Sequence, residues 1–387
     1  MRSRQLPVGR PSRLTIAALA ALSCTGHVLY PAWLAYASRG RRPATPPDPP
    51  SWPALTVLVP AYKEAGCIEA KVRDVLANGY AGPLEVMVVA DGDPETAERA
   101  EQAGATVVSA PERLGKAQAV NLGFSKVTTP VVVLSDANNV LSPGALAALV
   151  RHLEDPSVGA VAGSKVEDDG RGEDLYWRFE SWLKAREWAL GSTIGLVGEL
   201  AAIRTDAWEP IPSDIAIDDL WVALDLAARG YRVAYEPEAL AHEPPLPSVR
   251  GQWERRTRNV AGGLHVFARR RGQLGPGGGL AAVEIWGHRL GRYTVVPLSH
   301  LALLAVALRR LRRSRLAQLF VAGHVVGVVT LARDASPGDA SPGGAPSVPT
   351  RIAQVLAKGV FLDAVALGGL ARYARGDRPT RWATHRR

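Results

Sequence analysis

The sequence predicts an α/β fold: a mostly parallel sheet interleaved with helices, carrying membrane-spanning and interfacial helices on both flanks. Three observations lead there. Between residues 55 and 153, short apolar runs alternate with segments of helical spacing. Three of those runs end abruptly in oxygen-bearing side chains. Outside this region the apolar residues collect in blocks at 14–37, 293–308, 316–332 and 352–371. Strands buried on both faces read as continuous apolar runs, and alternation with helices favours parallel pairing.

The elements follow in order. LTVLVP (55–60) is a first strand, and 65–78 has helical spacing. LEVMVVAD (84–91) is a second strand, followed by a short helix over 94–104 that ends at a glycine. ATVVSA (105–110) is a third strand, 115–127 is helical, and VVVLSD (131–136) is a fourth strand. PGALAALVRHL (143–153) opens with proline, as helices often do.

Residues 14–37 carry no formal charge and are long enough to cross a bilayer. Their basic start also fits a cleaved signal peptide. The length of the run, with Tyr30, Trp33 and Tyr36 as interface anchors, favours a retained anchor. PATPPDPPSWP (43–53) is too proline-rich for helix or sheet and reads as a stiff linker. A second such stretch, 334–349, reads as an exposed loop. The expected division is an anchor over 1–42, the linker over 43–53, a catalytic domain over 54–272, and interfacial and membrane-spanning helices over 273–387.

Forty-six basic residues against 37 acidic ones leave a net charge of +9. Much of the excess flanks apolar blocks, as at Arg39, Arg41, Arg42 and RRLRRSR (309–315), which is juxtamembrane anchoring to acidic head groups. No interleaving of aromatic and basic residues suggests a nucleic-acid surface, so no nucleic-acid partner is expected. The two cysteines, Cys24 and Cys67, support neither a disulfide framework nor a metal cluster.

In parallel sheets, ligands sit at the carboxyl ends of the strands. Pro60, Tyr62, Lys63 and Glu64 follow strand one; Asp91, Gly92 and Asp93 follow strand two; Asp136, Ala137 and Asn138 follow strand four. Any one group alone is ordinary turn chemistry. Three groups on one edge make a site. The glycine patterns of dinucleotide and P-loop sites are absent, so phosphate is not held by a glycine loop. A hard divalent cation, reached by a carboxylate and an amide two residues apart, is the alternative.

VPAYKE, VVADGDP, RLGKAQAVNLG and LSDANN, in that order, resemble the nucleotide-binding half of family-2 glycosyltransferases of GT-A fold, whose sheet is Rossmann-like. The resemblance continues through 176–204, 215–243 and QWERRTR (252–258), and so covers about 55–270. With its flanking apolar blocks, the chain is similar to membrane-bound members that make polysaccharides or glycolipids. The resemblance implies that Pro60, Tyr62 and Glu64 line the nucleoside pocket. It puts Asp91 and Asp93 near base and ribose, and Lys116 near the nucleotide. Asp136 and Asn138 match the D-x-D pair that holds Mg2+ or Mn2+ and the donor diphosphate; here the second acid is an amide. Asp219 matches the catalytic base, and Asp218 stands where the family has glutamate. Gln252 and Arg255 match the Q-x-x-R-W motif, with Arg256 replacing the tryptophan, and are expected near the acceptor or diphosphate.

Alternatives stand beside several of these roles. Asp218 and Asp219 also suit the cap of the helix that follows. Arg258 faces either the site or lipid head groups. Tyr176, Trp177, Phe179, Trp182 and Trp188 either pack or stack on sugars. WGHRLGR (286–292) reads as a helix on the membrane surface, and 293–308 either lies in the interface or spans. His152, His242, His265 and His300 lack ligand spacing and read as structural or exposed.

The expected activity is therefore metal-assisted, inverting transfer of a sugar from a nucleotide-sugar, most simply a UDP-sugar, to a glycan or lipid acceptor. The domain is expected on the cytoplasmic face of the cell membrane, in a multi-pass protein. Single-sugar transfer to a membrane lipid, and a non-catalytic membrane scaffold, are the rival readings.

Overall fold

A computed structural model describes residues 11–41, 43–167, 173–244, 248–334 and 347–377. Strands β1 (Leu55–Ala61), β2 (Leu84–Asp91), β3 (Thr106–Ala110) and β4 (Val131–Ser135) lie where the apolar runs predict. β5 (Val140–Leu141), β6 (Val158–Val166), β7 (Leu200–Arg204) and β8 (Arg232–His242) complete one eight-stranded sheet of order β3-β2-β1-β4-β7-β6-β8-β5. β1 to β4 pair in parallel, as do β6 and β8. β7 runs antiparallel to both of its neighbours, and β5 runs antiparallel to β8. The sheet is mixed, with the parallel half at its amino-terminal side.

Pleating sends alternate residues of the apolar runs to opposite faces. Leu58, Val89 and Val132 enter one core with Ala119 and Leu224. Val57, Val88 and Val133 enter the other with Val72 and Leu149. Each such side chain, once fully buried, contributes about 1.5–3 kcal/mol. Both faces are covered, which is why these strands carry no polar alternation.

Within the domain the helices are α3 (Ile68–Leu76), α4 (Pro94–Gln102), α5 (Lys116–Phe124), α6 (Ala145–Arg151), α7 (Glu173–Leu190), α8 (Asp218–Ala228) and α9 (Val249–Arg269). α6 begins two residues later than its proline suggests, because Gly144 turns left-handed (φ 74°) at the cap.

Three helical stretches are long and apolar enough to cross a membrane: Arg13–Ala37, Arg315–Arg333 and Val348–Ala374. The first comprises α1 (Arg13–Cys24), a wide turn and α2 (Tyr30–Ala37). The others are α13 (Arg315–Asp334) and α14 (Val348–Ala374). Short helices α10 (Gly279–Glu284) and α11 (Gly291–Tyr293) precede α12 (Val295–Arg310), and this pair qualifies as one span bent by 45°. α12 packs along α1, and α14 packs along both α13 and α9. Of the 334–349 stretch, residues 335–346 lie outside the described residues, as do residues 1–10 and the basic tail.

The anchor is docked rather than tethered. Leu34 is fully buried against Leu183 of α7. The Tyr30 hydroxyl donates to Glu187 Oε1 at 2.7 Å. His288 bridges Glu187 (2.7 Å) and Glu180 (2.9 Å). The WGHRLGR tract is thus a buried junction, not a surface helix. Its carboxylate partners on α7 are far away in sequence, which hid the burial.

Candidate active site

The strand ends are built first by backbone clamps. Asp91 is 4% exposed. Its two oxygens accept from Leu114 N (2.6 Å) and Gly115 N (2.9 Å). That fixes the turn leading into α5, whose first residue is Lys116. Gly92 has φ 71°, and a Cβ there would come within 2.8 Å of Arg113 N. Only glycine lets the two strand-end loops approach so closely. Asp93 Oδ2 accepts from Lys63 N at 2.7 Å, and Glu64 N donates to Thr96 at 3.1 Å. Arg113 stacks 4.0 Å over the Tyr62 ring. Asp91 and Asp93 therefore hold the walls of this edge, a role that residue type alone did not separate from ligand contact.

At the end of β4 the cluster after Ser135 divides its work. Asn139 is buried, accepting from Lys71 Nζ (2.7 Å) and donating to Glu199 O (2.9 Å). Burial lowers the Lys71 pKa to about 8. Asn138 Nδ2 donates to Glu243 Oε1 at 2.9 Å. Asp136 Oδ1 accepts from Lys116 Nζ at 2.5 Å. Burial opposes the charge on Lys116, but the carboxylates of Asp136, Asp218 and Glu199 outweigh it and raise its pKa.

Beside this pair lies a cavity of about 190 Å3. Of the predicted residues, Lys116, Asp136, Asp218, Asp219, Arg255 and Arg256 line it. Pro60, Tyr62, Glu64, Asp91 and Asp93 stay at the neighbouring strand ends; Asn138 and Gln252 do not line it. Arg258 does, and is 9% exposed, so it faces the site rather than lipid. Tyr176 and Trp177 line it too, while Phe179 and Trp182 pack against the anchor and Trp188 packs beside His152. The aromatic run thus divides between the cavity wall and packing.

Asp218 and Asp219 open α8, but its cap is Ile217, without a side-chain cap bond. Asp219 Oδ1 accepts only from Leu220 N (2.7 Å) among the bonds described. Burial, with the charge of Asp218, raises the Asp219 pKa to about 7. Gly198 lies between the two halves: a Cβ there would sit 3.3 Å from Lys116 Nζ and 3.8 Å from Asp219 Cβ.

Sequence reasoning missed three acids and a lysine that surround this floor. Lys165 pairs with Glu167 (3.2 Å), Glu199 (3.0 Å) and Glu243, and Arg255 pairs with Glu167 at 3.2 Å. Burial would raise the Glu199 pKa, but Lys165, Lys116 and Arg255 hold it at about 2. The available signal was position: Glu243 directly follows β8, and Glu199 directly precedes β7. His152 pairs with Glu236 and His265 with Asp214, each at 2.9 Å, as structural histidines do.

The oxygens of Asp136 and Asn138 are hard donors. Among the described residues no three acidic, histidine or cysteine side chains are grouped to hold a metal. Asp136 faces the cavity and Asn138 does not, so a cation here would take most of its ligands from substrate phosphates and water, as magnesium and manganese sites often do.

Residues 56–208 match the model of glycosyl transferase family 2. An N-acetylglucosaminyltransferase of Mesorhizobium japonicum is 29% identical over 51% of this chain and 54% of its own. A poly-beta-1,6-N-acetyl-D-glucosamine synthase of Staphylococcus aureus is 27% identical over 56% of each. The chain thus spans about half the length of the curated relatives it matches. A mannosyltransferase from Pyrobaculum calidifontis, solved with GDP-Man and Mn2+, has a TM-score of 0.71. It is 26% identical and covers 93% of this chain and 98% of its own.

Proposed function

We propose that the chain, whose residues 56–208 match the model of glycosyl transferase family 2, is a glycosyltransferase that inverts the anomeric centre of a nucleotide-sugar, with Asp219 as general base. The observation that carries the reading is the placement of Asp219: a carboxyl with a pKa near 7, across Gly198 from the Lys116–Asp136 pair, in one cavity.

Departure of a nucleoside diphosphate builds negative charge on the diphosphate and positive charge at the anomeric carbon. Lys116 supplies a fixed positive charge at the diphosphate end. A divalent cation held by Asp136 and the Asn138 amide oxygen would neutralise the rest, as Mg2+ or Mn2+ does in such sites. Asp219 accepts the proton of the acceptor hydroxyl as its oxygen attacks the anomeric carbon from the face opposite the leaving group. The C–O bond to the diphosphate breaks as the new glycosidic bond forms. A base with a pKa near ambient pH is suited to that transfer. A single displacement requires no nucleophile on the protein. Tyr62 with Arg113, and the clamped loops of Asp91 and Asp93, form the edge that receives the nucleoside.

The donor is a nucleoside diphosphate sugar. UDP-sugars suit the resemblance to polysaccharide synthases, and the GDP-Man of the Pyrobaculum enzyme adds GDP-mannose to the panel. The acceptor is a glycan or lipid at the membrane, with the domain on the cytoplasmic side where nucleotide-sugars are made. Transfer of one sugar to a lipid is favoured over chain extension by Arg256: it stands where the resemblance expects an acceptor-stacking tryptophan, and it stacks 4.3 Å over Tyr176.

The test is nucleoside diphosphate release by the purified protein in detergent, with UDP-sugars and GDP-mannose, magnesium or manganese, and membrane lipid extract. Release with one donor, lost on chelation and in Asp219→Asn, supports the reading. Neither release nor nucleotide binding with any donor overturns it in favour of a scaffold.

A further inference from the structure

The acids on the cavity are not equivalent. Glu243 commits both oxygens to the protein: Oε1 accepts from Asn138 Nδ2 at 2.9 Å, and Oε2 accepts from Lys165. Glu180 accepts from Arg292 and is bridged by His288, and Asp363 is paired with His300. Asp136 holds Lys116. Glu199 is different. Its Oε1 accepts from Lys165 Nζ at 3.0 Å, while its Oε2 accepts no hydrogen bond among those described. The side chain is 21% exposed, and the residue lines the cavity.

The rest of Glu199 is fixed. Its carbonyl oxygen accepts from Asn139 Nδ2 at 2.9 Å and from Ser135 Oγ at 3.3 Å, which pins the chain to the end of β4. Lys71 holds Asn139 from behind at 2.7 Å. Lys165, Lys116 and Arg255 keep the carboxyl ionised despite burial. A charged oxygen on so rigid a mount is a preorganised acceptor.

Glu199 follows Gly198, which stands between Lys116 and Asp219. Its charge is felt by Lys116 and Asp136 on one side and by Asp219 on the other. In the transfer reading the diphosphate meets the first pair, and the anomeric carbon faces Asp219. The ring of the transferred sugar then lies beside Glu199. The same corner carries a hydrogen-bond donor. Lys165 Nζ, which touches Glu199, lies 4.9 Å over the Trp177 ring. Trp177 lines the cavity, and its Nε1 is buried without a hydrogen-bond partner among the described residues. A buried N–H left unpaired is costly. A hydroxyl donates once and accepts at its lone pairs, so one hydroxyl can serve both the carboxylate and the indole.

We propose that Glu199 and Trp177 are specificity residues for the transferred sugar: one of its hydroxyls donates to Glu199 Oε2 and accepts from Trp177 Nε1. This deepens the transfer reading above and rests on it. It makes the donor a nucleotide-linked neutral hexose with that hydroxyl intact. A deoxy sugar leaves a charged acceptor and an N–H unpaired, and sites built to bond a hydroxyl reject such analogues strongly. A glycuronic acid brings another carboxylate to a corner where Lys165 is already shared by Glu199 and Glu243, and like charge excludes it.

The experiment uses the full chain in detergent with magnesium or manganese. Calorimetry gives the affinities of UDP, GDP, UDP-glucose, UDP-N-acetylglucosamine and GDP-mannose. For the sugar that binds, the 2-, 3-, 4- and 6-deoxy forms and the corresponding uronate are then compared. One deoxy donor should bind wild type about ten- to hundredfold more weakly than the intact donor, and the uronate should bind more weakly too. Glu199→Gln should weaken the intact donor about tenfold or more. UDP or GDP affinity should hold or rise, because a negative neighbour of the diphosphate is removed. In this variant the critical deoxy donor should lose no further affinity, and discrimination against the uronate should shrink. Trp177→Phe keeps a ring beneath Lys165 and removes only the N–H. It should weaken the intact donor by about threefold or more, spare nucleotide affinity, and narrow the penalty at the same deoxy position. If either folded variant keeps the wild-type ratios between intact and deoxy donors, its residue does not touch the sugar and the proposal is overturned. An equal fall for bare nucleotide and nucleotide-sugar would also overturn it, since Glu199 would then act only through Lys165. Absence of UDP and GDP binding in wild type would strike the transfer reading itself.

Discussion

Lys116 Nζ lies 2.5 Å from Asp136 Oδ1, joining the start of α5 to the end of β4 across the floor of the cavity. The pair is placed by Asp91, which clamps the turn before Lys116. A fixed cation at this point binds a diphosphate better as its charge grows. Lys116→Met is expected to raise the donor KM and lower kcat/KM by roughly 100-fold. Steady-state kinetics with the accepted donor checks this. Asp136→Ala is expected to abolish the stimulation of donor binding by magnesium or manganese, read by calorimetry with and without chelator.

On the proposed mechanism Asp219 sets the pH response. As a base it works only when ionised, and its pKa is raised to about 7. kcat/KM should therefore climb as pH rises through about 7 and level off above it. Asp219→Asn should lose transfer by about 100-fold or more while keeping nucleotide affinity. For stability the sign is the reverse. Between the ordinary carboxyl range and pH 7 the folded state holds the proton more tightly than the unfolded chain, so ionisation of Asp219 costs stability as pH rises. Asp219→Asn should therefore melt higher than wild type at pH 8, and the gap should narrow toward pH 5.

Asp91 is expected to act through backbone. Asp91→Ala leaves the N–H groups of Leu114 and Gly115 unpaired. Its cost should be about 1–3 kcal/mol in denaturant unfolding, with a raised donor KM. If Asp91 served only the nucleoside, KM would change and stability would not.

Gly198 separates Lys116 from Asp219. Gly198→Val should depress kcat strongly and lower Tm as well, since the nearest obstacle, Lys116 Nζ at 3.3 Å, is held in place by Asp136. Gly287 is the contrary case. A Cβ there would come within 2.1 Å of the Tyr30 ring, itself buried. Gly287→Ala should lower stability by about 1–3 kcal/mol and shift thermal unfolding without altering donor KM in the protein that remains folded.

The parallel half of the sheet was readable because both of its faces are covered, so each strand is an unbroken apolar run. Asp91, Asp93 and Asp136 were legible as acids at strand ends, whereas Asp218 and Asp219 open α8 and were singled out by the family resemblance. Strands β5 to β8 were not read one by one: β5 has only two residues, and β7 reverses direction, which apolar runs do not record. Glu243 escaped notice because its partners Asn138 and Lys165 are remote in sequence. Arg289 and Arg292 looked like the wet face of a surface helix, since a basic stripe beside an apolar block has the same pattern whether it meets water or a buried Glu180.

The Tyr30–Glu187–His288 junction has a practical corollary for anyone handling the protein. A catalytic head cut free at the proline-rich stretch would expose two carboxylates and an imidazole that had been sealed by the anchor. Such a fragment should be sticky and short-lived, however complete its sheet. Swapping the anchor for an unrelated hydrophobic helix should fail for the same reason, so transplantation into another host membrane has to carry both ends of the chain together.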